Sequence, residues 1–406
     1  MSVALSHGEG PLPEGWRWAR LGDVCIVNPR RPPLERPTTA PTTFLPMSAV
    51  AESGRGIVAA ETRPYDVIAR GYTYFAEGDV LFAKITPCMQ NGKHAIARDL
   101  RNGIGFGSTE FHVLRPLKGL TAEWLLSFLL QPTVLNEAIS QFTGAVGQQR
   151  VPADYLAGLS MPLPPLSEQR RISAILKEQM GAVDKAQAAV QAQLKAARAL
   201  SGAYLRDVFE SQEAKQWPYA PLGSVSKLVN GEAFRPSDWS SSGTPIIRIQ
   251  NLNNRLSTYN YWDGPLAGRV KVCCGDVLLA WSGTPGTSFG AHLWDRGQAV
   301  LNQHIFRVDL DLQRVDPQWA VLAINQRLGV MVGKAHGAVG LRHVTRAEVS
   351  ALSIPLPQLS IQQGLAGELA ARQDAVKHLT ELLEGTLAAV DALPSALLSQ
   401  ALQGGY

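Results

Sequence analysis

Apolar residues along two stretches of the chain recur at helical spacing. In the first, Ile172, Leu176, Val183, Ala186, Val190, Leu194, Ala197, Leu200 and Tyr204 fall mostly three, four or seven residues apart. In the second, Leu365, Leu369, Val376, Leu379, Leu383, Leu387, Val390 and Leu393 do the same. Such spacing over roughly 40 residues predicts two helices about 60 Å long whose apolar seams form a coiled coil. Ser167, approached through Pro162, Pro164 and Pro165, is the expected N-cap of the first helix. Pro394 is expected to bend or end the second about one turn before Leu397 and Leu398. Leu194 and Leu379 are both expected to be buried where the two helices pack.

The rest of the chain is patterned differently. Short apolar runs alternate with Gly, Pro, Ser and Thr, as in Val80–Ala83, Phe111–Leu114, Ile246–Ile249 and Ile305–Val308. These predict strands. Helical pieces are expected at Ala122–Leu130 and Pro317–Leu328. The fold class that follows is two α/β (α+β) globular bodies joined by two long helices. The expected divisions are a tail at 1–10, a body at 11–165, a central long helix at 166–212, a second body at 213–358 and a C-terminal long helix at 359–406.

The chain is also duplicated. Pro162-Leu163-Pro164-Pro165-Leu166-Ser167-Glu168-Gln169 returns as Pro355-Leu356-Pro357-Gln358-Leu359-Ser360-Ile361-Gln362, and Gly144-Ala145-Val146-Gly147 as Gly337-Ala338-Val339-Gly340. Leu21-Gly22-Asp23-Val24 matches Leu222-Gly223-Ser224-Val225, Gly78-Asp79-Val80-Leu81 matches Gly275-Asp276-Val277-Leu278, and Trp124 matches Trp319. Two equivalent units point to two related targets.

Composition narrows the class. Hydrophobic content of 45% and charged content of 18% are those of a soluble globular protein. No apolar run reaches the roughly 20 residues that span a bilayer, and the N-terminus does not read as a signal peptide. Cys25, Cys88, Cys273 and Cys274 follow no metal or disulfide spacing, so a reducing cytoplasm is the expected location. The net charge is +4. It is uneven: the bodies carry a basic excess, whereas the first helical stretch is net positive and the second net negative. Basic bodies fit an anionic partner.

Catalytic signatures are missing: there is no phosphate-binding Gly-x-x-x-x-Gly-Lys-Ser/Thr, no His-Glu-x-x-His and no zinc-ligand spacing. Asn28-Pro29-Arg30 departs from the Asn/Asp-Pro-Pro-aromatic motif of amino-methyltransferases, and Glu213-Ala214-Lys215 stands alone without the further acid of a metal-dependent nuclease. Gly103, Gly105 and Gly107 are expected in a loop before a strand. Polar loops are better represented. Arg30 and Arg31 cluster early in the first body; Lys84, Thr86, Asn91 and Lys93 follow a predicted strand; Gln148, Gln149 and Arg150 lie further on. The second body offers Arg248, Asn251, Asn253 and Arg255, then Ser282 and Thr284, then Arg342 and His343. Asn, Gln and Arg can make paired hydrogen bonds to base edges, and Lys, Ser and Thr suit phosphates. Singly each fits a solvated loop; as a set on two repeated bodies that plain reading weakens.

These motifs, in order, carry a resemblance. Leu-Gly-x-Val, Gly-Asp-Val-Leu, Gly-Ala-Val and Pro-Leu-Pro-x-Leu-Ser-x-Gln before a long helix resemble the DNA specificity subunit of type I restriction–modification systems, over about residues 11–402. The second copy departs from the pattern at Gln358 and Ile361. The resemblance implies a non-catalytic subunit with two target recognition domains, each reading half of a split DNA site. It implies that the long helices pair antiparallel and set the spacer. It implies two methyltransferase subunits acting on adenine with S-adenosylmethionine, and motor–nuclease subunits using ATP and Mg2+, with no cofactor on this chain. Alternatives are the specificity subunit of a related system with a different nuclease, or a duplicated scaffold for proteins or glycans.

Overall fold

A computed structural model describes residues 11–143, 149–265, 270–283, 289–327, 329 and 342–406. The chain divides into two compact units, one running up to Gln191 with Gly385–Tyr406, the other Ala192–Glu384. The 1–10 tail, both Gly-Ala-Val-Gly motifs, Gln148 and Thr284 lie outside the described residues.

Each body is built from two four-stranded sheets. In the first, one sheet runs in the order Cys25–Val27, Phe111–Pro116, Val80–Ala83, His94–Ile96, and the other Glu61–Pro64, Pro41–Leu45, Ile104–Gly107, Thr73–Ala76. The second body repeats both orders, with Ser226–Asn230, Ile305–Leu310, Val277–Ala280, Gly290–Leu293 and then Asn260–Trp262, Thr244–Ile247, Ala299–Leu301, Lys271–Val272. Among the described strands, each body has one parallel strand pair, Pro41–Leu45 with Ile104–Gly107 or Thr244–Ile247 with Ala299–Leu301, beside antiparallel ones; in the second body an isolated parallel bridge, Glu232 with Asn302, accompanies it. The duplication therefore extends to strand order and sense.

The continuous apolar run Val80-Leu81-Phe82-Ala83 has a direct cause. Successive side chains point to opposite faces of a strand. Val80 and Phe82 enter a core built around Trp124, while Leu81 and Ala83 enter another with Phe75 and Phe111. Val277 and Leu279 likewise pack with Trp319, and Leu278 and Ala280 on the other side. The repeated Gly-Asp before each strand is also structural. Gly78 and Gly275 sit at φ of 83° and 95°, which an L side chain resists. Asp79 then accepts from the Ala76 N–H at 2.8 Å and Asp276 from the Cys273 N–H at 2.7 Å, closing matching turns.

Gly105 and Gly107 are not in a loop but inside the strand Ile104–Gly107. A Cβ on Gly105 would lie 2.3 Å from the Phe75 ring, and one on Gly107 2.5 Å from the Leu45 carbonyl. The glycines let ring and backbone close on the strand, a tertiary demand with no local signature.

Each body opens and closes in one two-stranded ribbon, Arg17–Arg20 with Ser160–Leu163 and Tyr219–Pro221 with Ser353–Pro355. The indole N–H of Trp124 donates to the Pro162 carbonyl, and that of Trp319 to the Pro355 carbonyl, each at 2.9 Å. The long helices follow, Leu166–Phe209 and Leu359–Leu402. The first begins before Ser167, which lies in the opening turn; the Pro165 carbonyl accepts the N–H groups of Glu168 and Gln169.

The two helices pair antiparallel in both units. In one, Gln187 donates to Asp391 at 2.8 Å and Arg171 to the Tyr406 carbonyl at 3.0 Å. In the other, Arg198 donates to Glu384 at 2.7 Å and Arg372 lies over the Tyr204 ring. Val183, Val190, Leu194 and Ala197 are buried on the first helix, Leu369 and Val376 on the second. Leu379 is not: it is 41% exposed. From Val376 the seam continues through Thr380, Leu383, Leu387 and Val390, alternating steps of four and three. Leu379 lies one position outside it.

Pro394 does not end the second helix, which runs on to Leu402. Leu398, Ala401 and Leu402 are buried in the core around Trp124, and that packing offsets the hydrogen bond a proline removes. By length and composition this helix is long and apolar enough to cross a membrane. Its leucines and alanines are interspersed with sparse charges, so no unbroken apolar run marks it in the sequence.

Candidate nucleic-acid interface

In the first body the chain leaves strand Val80–Ala83 at Lys84. The Lys84 N–H donates to the Glu110 carbonyl at 2.9 Å, and its carbonyl accepts from the Val151 N–H at 3.0 Å. The Thr86 N–H donates to the Gln149 carbonyl at 3.2 Å, and Ile85 bridges Arg150. Segments 84–86 and 149–151, distant in sequence, thus become neighbours, and Lys84, Thr86, Gln149 and Arg150 share one edge.

Two side chains that the sequence did not single out organise this edge. Glu110 receives Arg150 in a fork, Nε to Oε2 at 2.8 Å and Nη2 to Oε1 at 2.7 Å. That bonding holds the Glu110 carboxyl below its usual range against the opposing effect of burial. His112 lies beneath. Its Nε2 is 2.8 Å from the Val151 carbonyl, which can only accept, so Nε2 carries the proton and Nδ1 accepts from the Asn28 amide at 3.0 Å. Burial, with the Lys84 charge, lowers the His112 pKa and keeps the ring neutral. Asn28, at φ of 53°, also accepts from the Val113 N–H, which fixes the chain just before the exposed Arg30 and Arg31. Arg31 itself donates to the Ala69 carbonyl.

Asn91 belongs elsewhere. Its amide donates to Glu52 at 2.8 Å, and the 90–92 turn bonds to Ser53 and Gly54. Arg55 of that loop binds Asp184 at 2.9 Å on the first long helix. Lys93 follows on the same turn. Here the first unit opens a groove of about 1300 Å3 lined by Leu126, Leu130, Leu176, Val390 and Leu398 among others.

The second body repeats the edge. The Trp281 N–H donates to the His304 carbonyl and its own carbonyl accepts from Val344; Ser282 and Gly283 pair with His343 and Arg342. Trp281 therefore occupies the place of Lys84, and His304 that of Glu110. Trp281 stacks on Phe306 with ring centroids 5.5 Å apart, and Ser282 is buried. Arg248, Asn251, Asn253 and Arg255 lie apart, on and beside the short helix Ile249–Asn253 that follows strand Thr244–Ile247 of the other sheet. Asn251 is wholly buried: it accepts from the Arg248 N–H and donates to the Ser257 and Thr258 carbonyls, so its amide shapes the loop. Arg248 lies over the Trp239 ring, Arg255 pairs with Asp295, and Asn253 is exposed.

Two bodies of one topology, each ending in a helix of an antiparallel pair and each presenting the same edge with different side chains, define a duplicated recognition protein. Comparison with known proteins agrees. The family model described as "Type I restriction modification DNA specificity domain" matches residues 13–195 and again 214–390, and the chain belongs to that family. It is 33% identical over 217 residues to the type I restriction enzyme EcoEI specificity subunit of Escherichia coli, and 34% over 215 residues to the EcoAI specificity subunit of the same organism. Those matches take in 53% and 52% of this chain but span only 36% of each relative's own length. The fold is that of the HsdS subunit from Thermoanaerobacter tengcongensis, with a TM-score of 0.69 at 21% identity over 98% of this chain and 99% of that one. A chain from a structure concerned with complex assembly and conformational transition of the type I R-M system gives 0.76 at 22%, covering 98% and 100%.

Proposed function

We propose that this chain is the sequence-specific DNA-binding specificity subunit of a type I restriction–modification complex. Each body reads one half of a bipartite site. One observation carries this reading: the edge at 84–86 and 149–151 recurs at 281–283 and 342–344 on the same backbone hydrogen bonds, with Lys84 and Glu110 replaced by Trp281 and His304. A constant frame with changed side chains is what two different half-sites require.

The chain itself is non-catalytic and works in the cytoplasm. It directs two methyltransferase subunits, which methylate adenine with S-adenosylmethionine, and motor–nuclease subunits, which use ATP and Mg2+. The paired long helices fix the spacer between the half-sites. Co-expression with a methyltransferase partner, followed by single-molecule mapping of N6-methyladenine, tests the proposal. A split motif with a constant spacer is expected; methylation without such a motif, or DNA binding indifferent to salt, overturns it.

A further inference from the structure

We infer that Arg248, its guanidinium over the Trp239 ring, binds a backbone phosphate of the DNA at the second body, an inference that rests on the function proposed above. The repeat locates the residue. In the first body the Leu45 carbonyl accepts from the Ser108 N–H at 3.0 Å, and the Ser108 hydroxyl accepts from the Glu110 N–H at 3.2 Å. In the second, the Ile247 carbonyl accepts from the Asn302 N–H at 3.2 Å, and the Asn302 side chain accepts from the His304 N–H at 3.4 Å. Leu45 and Ile247 are therefore equivalent, and Arg248 stands where the first body has Pro46. The segment 302–304 runs on to the recurring edge, where the His304 carbonyl accepts from the N–H of Trp281, the residue in the place of Lys84. The second body thus has no cation at the place of Lys84 and gains one at the adjoining strand end.

The support under Arg248 is fixed. The Trp239 N–H donates to the Pro236 carbonyl at 3.3 Å, and the following Ser240 N–H donates to the Tyr261 carbonyl at 2.9 Å. The indole is 38% exposed, and the guanidinium carbon of Arg248 lies 5.4 Å from its ring centroid. An aromatic ring attracts a cation through its quadrupole. It cancels no charge, so the guanidinium keeps its charge for a ligand. Other arginines of this body are committed: Arg255 to Asp295, Arg296 to Tyr259 and the Asn251 carbonyl, Arg307 to Asp309. Among the described residues Arg248 has no carboxylate partner and its guanidinium no hydrogen-bond acceptor. These features select a phosphate over a base edge. A base edge is neutral and demands donors held in one direction, which takes a hydrogen-bonded anchor on the guanidinium; the ring supplies none. A phosphate is anionic and accepts over a wide range of directions, and arginine binds it through paired N–H groups. A cation held before binding also gives up less side-chain freedom when it docks.

The test uses the full chain assembled with its methyltransferase partner. Affinity is measured from about 50 to 200 mM salt on two duplexes, one carrying the split site mapped for the wild type and one lacking it. Arg248→Gln and Arg248→Ala should weaken binding to both duplexes by the same factor. They should also make the slope of log affinity against log salt shallower by about 0.9, the share of one phosphate, while the methylated motif stays the same. Arg248→Lys keeps the charge and should keep the wild-type slope. Trp239→Ala should weaken binding in the same uniform way but less, and Trp239→Phe, which keeps a ring, should restore it. An unchanged slope in both neutral Arg248 variants overturns the inference. So does a motif relaxed at one base position, which would make Arg248 a base reader, or a loss of assembly, which would give it to the fold. The proposed function fails separately: a wild-type complex that binds the two duplexes equally shows it before any variant is compared.

Discussion

Gln169 and Gln362 make the same three hydrogen bonds at the starts of the two long helices. The Gln169 amide donates to the Gly119 and Pro164 carbonyls at 2.8 and 2.9 Å and accepts from the Thr121 N–H at 2.9 Å. Gln362 donates to the Arg314 and Pro357 carbonyls at 2.9 and 2.8 Å and accepts from the Asp316 N–H at 3.0 Å. Both are wholly buried. Gln169→Ala would strand a buried N–H and two carbonyls and is expected to destabilise the chain by about 2–4 kcal/mol. Gln169→Glu should be worse, since a carboxylate would face two carbonyls. Denaturant unfolding measures both; a change under about 0.5 kcal/mol for the alanine variant, the range of an ordinary surface substitution, would show that the bonds do not hold the helix.

The seam predicts a contrast between two leucines. Leu194 is 8% exposed and Leu379 41%. Leu194→Glu places an unpaired charge against the partner helix and is expected to cost several kcal/mol, about 3 or more. Leu379→Glu should change the stability of the isolated chain by less than about 0.5 kcal/mol. Equal effects on melting temperature would mean that the seam runs elsewhere.

Three histidines set a pH dependence. Burial pushes the His94 pKa down to about 3 and also lowers those of His112 and His292. The unfolded chain binds these protons near pH 6.5 and the folded chain does not, so stability is full above about pH 6.5 and is lost as pH falls below it. For His94 the loss continues toward its folded value of about 3, at up to about 1.4 kcal/mol per pH unit. His94→Gln keeps an acceptor for the Ala83 N–H and should flatten thermal stability between pH 6.5 and 5. An unchanged slope would show that His94 is protonated in the folded state.

Inserting four residues near Ala197 lengthens the first helix by about 6 Å. Under the proposed function the tolerated spacer should grow by one or two base pairs at about 3.4 Å each, with both half-sites unchanged. Altered half-site bases with a constant spacer would place base reading in the helices.

The sequence made the duplication and the long helices legible because both are local or periodic. The Pro-Leu-Pro-x-Leu-Ser-x-Gln segment marks where each helix leaves its body, and its glutamine is the residue that fastens the start. Phase was harder to read: Leu379 fits an apolar pattern, but Thr380 takes the seam position, since alternation of three and four leaves both choices open. Side-chain fate was hardest. Asn251 looks like a recognition residue and is buried as a loop clamp, because an amide that bonds its own loop has the composition of one that bonds DNA. Glu110 carries no sequence signal, because a carboxylate beside basic loops gains its role only through the fork to Arg150 that the fold brings to it.

The ribbons that open and close each body have an evolutionary consequence. Arg17 faces Leu163 and Tyr219 faces Pro355, so the chain enters and leaves each body at adjacent points. A segment whose two ends lie side by side can be exchanged for another without disturbing what flanks it. Under the proposed function, recombination with crossovers in the ribbon codons would deliver a new half-site specificity in a single step, leaving the rest of the chain as it was.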